Sequence, residues 1–112
     1  CEAFVMAGEG PAYREFHFSP SGDWAVYAFR GYREGGAEGV ELDPGLEVQR
    51  SGKRLELCAG IRPELLPSGR PLRLGLSVVV EDADGMLSYW AVRHPPGKPD
   101  FHHTDAFALR MA

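Results

Sequence analysis

Between Leu72 and Val80 the chain reads Leu-Arg-Leu-Gly-Leu-Ser-Val-Val-Val, which puts Leu72, Leu74, Leu76, Val78 and Val80 on one side of an extended backbone. A run held this long to a period of two is a strand with one apolar face, and that face needs a cover. Asp82-Ala-Asp-Gly85 follows, and then a second run from Leu87 to Val92. An Asp-Gly turn between two alternating runs is a strong local hairpin signal, so a hairpin is expected here. No stretch sustains a helical period over several turns; Pro63-Glu-Leu-Leu66 suffices for one helical turn at most.

The rest of the chain is punctuated in the same way. Its 14 glycines and 9 prolines fall in clusters between short apolar runs, which is the pattern of strands and turns. Those runs are Ala3 to Ala7, Tyr13 to Phe18, Trp24 to Phe29, Leu46 to Val48, Leu55 to Ile61 and Phe107 to Met111. Roughly eight short strands at close spacing predict an all-β fold, an antiparallel sandwich of the immunoglobulin-like or jelly-roll kind. Gly31 to Gly45, rich in Gly and Glu, reads as one long exposed loop. With 112 residues, 44% of them hydrophobic, residues 1–112 hold enough apolar mass for one core and too little for two.

Charge and apolar length narrow the partners. A net charge of -4, with basic residues scattered among acids, argues against a nucleic-acid surface. No apolar run approaches the roughly 20 residues that span a bilayer as a helix, so no membrane partner is expected. Cys1 and Cys58 lie in no metal or redox spacing, and both read as ordinary residues. Cys58 suits a small buried or half-buried thiol, and a disulfide between the two is the lesser option.

The chemistry-bearing residues concentrate in two places. On Tyr13 to Phe18, strand alternation sets Phe16 and Phe18 against Glu15 and His17. The two rings claim the core, so the polar pair faces solvent or a concave binding sheet. Downstream, Trp90, His94, Asp100, Phe101, His102, His103 and Asp105 fall within a proline-rich segment whose loop has little entropy to lose. No nucleophile elbow, phosphate-binding glycine loop, dinucleotide fingerprint or zincin helix is present in the sequence, and an enzyme is not expected. Imidazoles and carboxylates at His94, Asp100, His102, His103 and Asp105 suit a metal by type, but their spacing is unspecific and no metal set is assigned.

Sugars present apolar faces that stack on aromatic rings and hydroxyls that carboxylates and imidazoles bind directionally. Trp90, Phe101 and Trp24 are stacking candidates, Trp24 being the better core residue, and Glu2, Glu15, His17, His94, Asp100 and His102 are polar candidates. The loop from His94 to Asp105 is expected to fold over the sheet and carry Phe101 and one of His102 or His103 toward the face of Glu15.

Four segments of the chain, Cys1-Glu-Ala-Phe-Val5, Tyr13-Arg-Glu-Phe-His-Phe-Ser-Pro-Ser-Gly-Asp-Trp24, Ser88-Tyr-Trp-Ala-Val-Arg-His-Pro95 and Pro99-Asp-Phe-His-His103, resemble the proteobacterial DOMON-like domains. These are relatives of family 9 carbohydrate-binding modules. The resemblance implies a non-catalytic module for carbohydrate or a sugar-like small molecule, with His17 standing where the family pattern has Asn. It also implies strands before Cys1, so that residues 1–112 are the C-terminal portion of a longer domain and the edge beside Ala3 to Ala7 is open to self-association. Other DOMON relatives hold haem b between a Met and a His, for which Met6 and His94 are the pair to test. A structural domain whose ligand site has decayed is the third reading.

Overall fold

A computed structural model describes residues 1–37 and 44–111. Among these residues the chain forms β1 (Glu2–Ala7), β2 (Tyr13–Phe18), β3 (Trp24–Gly31), β4 (Glu34–Ala37), β5 (Glu47–Ser51), β6 (Arg54–Cys58), β7 (Leu72–Glu81), β8 (Leu87–Ala91) and β9 (Leu109–Met111). Two single 3-10 turns interrupt them, Pro63–Leu65 and Thr104–Ala106. Among the described residues no helix is long and apolar enough to cross a membrane. The large sheet runs β4-β3-β2-β1-β7-β8, with β9 also on β7, and β5-β6 forms a second, two-stranded sheet. All its pairings are antiparallel. The all-β, sandwich-like architecture is therefore the one that the alternating runs predict.

The long run read from the sequence as one strand serves as the spine. Along one side β7 pairs with β1 from Leu72 to Ser77; along the other, β9 takes Leu72 to Leu74 and β8 takes Ser77 to Glu81. Both backbone edges of β7 are thus used, and a ten-residue strand reaches two partners in tandem. The turn into β8 forms as expected. Asp82 accepts Asp84 N–H and Met86 N–H at 2.9 Å on its side chain, and Gly85, at φ 79, takes the left-handed position that a residue with a Cβ would resist.

Several expectations need correction. The segment Ala3 to Ala7 is no open edge: β1 lies in the interior of the sheet between β2 and β7, because the spine returns antiparallel onto its free side. The outermost strands of the path are β4 and β8. The stretch read as one loop from Gly31 to Gly45 contains β4, since Glu34–Ala37 pairs back on β3 across a bulge near Gly31; residues 38–43 of that stretch lie outside the described ones. Cys58 is exposed rather than buried, and both cysteines are free thiols. Trp24 is exposed and Phe18, its pairing partner, is the buried ring.

The sheet is also covered on both faces at its centre, where an alternating pattern suggested one. Phe4, Val5 and Met6 are consecutive and all buried, which a strand achieves only when both faces are dry. One face carries Val5, Phe16, Phe18, Val26 and Leu72, packed against Leu46, Leu57, Ile61, Leu65 and Leu66 from the β5–β6 region. The other gathers Phe4, Met6 and Tyr13 beneath Phe101, Ala106 and Phe107. Gly75 makes the second cover possible. A Cβ there would lie 2.8 Å from Phe107 Cδ1 and 3.0 Å from Ala106 O, so the C-terminal segment descends onto bare backbone.

Candidate functional site

Strand register brings three sequence-predicted residues together. Glu2 is the pairing partner of His17, and Phe4 is that of Glu15, so Glu2, Glu15 and His17 share the Phe4 face, away from Phe16 and Phe18. One donor atom of each lies within 4.8 Å of one from the others. His17 Nδ1 stands 3.7 Å from Glu2 Oε1, while Ser77 Oγ donates to Glu2 Oε2 at 3.4 Å. Ser77 arrives because Glu2 also pairs with it on β7.

The electrostatics are those of two carboxyls in one dry place. Glu15 is 7% exposed, and burial pushes its pKa up to about 7, helped by the Glu2 charge and a hydrogen bond shared with Glu2, against a weaker pull from Arg33. Two carboxylates this close resist ionising together. His17 is the accessible member, its side chain 44% exposed. Tyr27, the partner of Glu15 on β3, and Tyr89 on β8 place rings on the same face.

The loop after β8 does fold over this face, held by a second group of residues. Asp100 accepts from the Tyr32 hydroxyl, from Arg33 Nη2 at 3.0 Å and from His102 N–H at 3.2 Å. Burial alone would raise the Asp100 pKa, but these donors hold it below its usual value. Tyr13 Oη receives Arg33 N–H at 3.1 Å and lies 2.8 Å from His102 Nδ1. The tyrosine proton then points to Nδ1, which fits a neutral His102, since burial first and Arg33 second lower its pKa. The His102 ring stands edge-on to Phe4 at 4.9 Å and to Phe29 at 5.0 Å.

The remaining predicted residues are dispersed. Phe101 is buried in the core beneath the loop, 6.2 Å from Tyr89 and 5.9 Å from His94, itself an exposed residue. His103 caps its own turn by accepting Asp105 N–H at 3.0 Å. The set of His94, Asp100, His102, His103 and Asp105 thus splits between a clamp, a cap and an exposed ring; among the described residues, Glu2, Glu15 and His17 are the group with metal-binding geometry. Met6 is fully buried, its thioether lying beneath Gly10, remote in character from an open axial ligand. Trp90 sits on the opposite face, 63% exposed, with Nε1–H donating to Ser88 Oγ at 2.9 Å. It borders an apolar groove of about 710 Å³ between the two sheets, lined also by Leu57, Ile61, Leu74 and Leu76.

Sequence reasoning missed Ser77, Tyr27, Tyr32, Arg33 and Tyr89. Ser77 was within reach: it lies on the side of its strand opposite the apolar run, and meets Glu2 once β1 and β7 are paired. Arg33 and Tyr32 carry no such signal, because their link to Asp100 spans the sheet. None of the family models, curated proteins and solved structures compared with this chain matches it.

Proposed function

We propose that this domain is a non-catalytic binding module whose ligand is a carbohydrate or another polyhydroxylated small molecule, seated on the Phe4 face at Glu2, Glu15 and His17. The observation that carries the reading is a polar centre with ring walls. Two carboxyls, an imidazole and a hydroxyl converge between Tyr27 and Tyr89 on one sheet face, and a sugar needs both directional polar partners and a flat apolar surface. A protonated Glu15 beside Glu2 offers a donor and acceptors together, which suits a hydroxyl that gives and takes a hydrogen bond. The clamp at Asp100 supports the same reading, since it holds the loop in place before any ligand arrives.

Retention on immobilised polysaccharides, followed by calorimetry with the matching oligosaccharide, tests the proposal. His17→Ala and Tyr89→Ala are expected to weaken binding, the ring by roughly threefold to tenfold for the loss of one stacking contact. Trp90→Ala is expected to leave affinity unchanged, because that ring serves the opposite face. Loss of binding in Trp90→Ala with none in His17→Ala would move the ligand to the inter-sheet groove, and absence of retention on every polysaccharide would end the saccharide reading.

A further inference from the structure

We propose that Glu2, Glu15 and His17 form a binding site for a divalent transition-metal ion, with Zn²⁺ the best-matched species. The geometry is near what an ion requires. Ligand atoms at about 2.1 Å from a tetrahedral zinc lie about 3.4 Å from one another. Here all three donor atoms fall within 4.8 Å, and His17 Nδ1 to Glu2 Oε1 is already 3.7 Å. Small side-chain rotations close the remainder, while the backbone is fixed by β1 lying between β2 and β7.

Burial supplies an independent reason. Glu15 is more than nine-tenths buried, and among the described residues the side chain that hydrogen-bonds its carboxyl is another carboxyl, that of Glu2. Two carboxyls facing each other cannot both ionise without a cation or further donors between them, and buried polar groups are normally satisfied by protein, water or an ion. Arg33 acts on Glu15 only from a distance, its guanidinium being engaged with Asp100 and Tyr32. A cation between the two carboxylates satisfies both.

The surroundings match a metal ligand set in two further respects. Ser77 binds the Glu2 oxygen that faces away from His17, which orients Oε1 into the cluster as an outer hydrogen bond does for a ligating carboxylate. The exposed edge of His17 leaves an entry path. An imidazole with two carboxylates favours Zn²⁺, Mn²⁺ or Fe²⁺ over Ca²⁺, which takes six to eight oxygens. Three protein ligands leave at least one position open to water or to a ligand hydroxyl. The site does not depend on the saccharide reading; it stands with or without a sugar.

Calorimetric titration of Zn²⁺ into the chelator-stripped full chain tests it, in a Cys1→Ser, Cys58→Ser background that removes thiol ligands. One ion per chain is expected, with Ca²⁺ bound at least roughly a hundredfold more weakly. Glu15→Gln keeps the shape of the buried group, and His17→Ala alters a half-exposed one; each is expected to weaken Zn²⁺ by roughly tenfold or more while far-UV circular dichroism is unchanged. X-ray absorption of the loaded protein should report one imidazole with oxygen donors. No saturable heat at one ion per chain overturns the proposal. So does wild-type affinity in both variants, or loss of binding in His94→Ala or His103→Ala instead.

Discussion

Glu15 shows how far one buried carboxyl can shape the behaviour of a small fold. Its folded pKa of about 7 lies above the ordinary 4.5, so the native state holds its proton more tightly than the unfolded chain does. The stabilisation is complete below pH 4.5 and is lost as pH rises through 7. The titratable and charged groups that meet it come from several elements: Glu2 on β1, Tyr13 and His17 on β2, and Arg33 beyond β3. His102 pulls the other way, since its lowered pKa makes folding less favourable as pH falls below 6.5. Comparison of the metal-free wild type with Glu15→Gln cancels that contribution. The variant is expected to gain on the order of 2 kcal/mol over wild type between pH 5 and pH 8.5, read from urea unfolding midpoints. Equal pH slopes in the two proteins would show that Glu15 is ionised throughout.

At the scale of elements, legibility in the sequence follows how local the determining contact is. β2 forms with the predicted bounds, and the hairpin at Asp82–Gly85 forms where the Asp-Gly turn demands it, because both depend on neighbours a few residues away. The shared face of Glu2, Glu15 and His17 was legible too, since a period of two fixes sides once two strands pair. What stayed hidden depends on pairing order. That β1 is interior, and that the C-terminal segment seals the Phe4, Met6 and Tyr13 end of its face, are decided by β7 taking three partners, and no local pattern encodes that choice. Gly75 is the residue on which that seal depends. Gly75→Ala drives a methyl into the Phe107 ring and the Ala106 carbonyl, and is expected to cost about 1–3 kcal/mol, as overpacking does. Thermal unfolding gives the value, and proton exchange should show the loss concentrated in 100–107. A neutral result would mean that the segment yields without strain.

Taken as a whole, the molecule is held unequally on its two faces. The Phe4 cover is tied down by a charged clamp, an edge-on His102 and stacked rings, with Phe4 and Phe107 5.7 Å apart. The β5–β6 sheet is joined to the Phe16 face by side chains such as Leu46, Leu57 and Ile61, all only partly buried, and an open groove of about 710 Å³ separates part of the two layers. Both strands of that small sheet are exposed along nearly their full length. An isolated two-stranded sheet is marginal in water, so its persistence depends on these few apolar contacts. Local opening of the 44–66 region is therefore expected at lower free energy than global unfolding, with the amides of β5 and β6 exchanging well before those of β1, β2 and β7. Leu57→Ala sharpens the test: it should accelerate exchange in β5 and β6 while leaving the protection of β1 nearly unchanged. Exchange of both sheets at one common free energy would show instead that the two layers unfold as a single unit, with the groove narrower in energetic terms than its volume suggests.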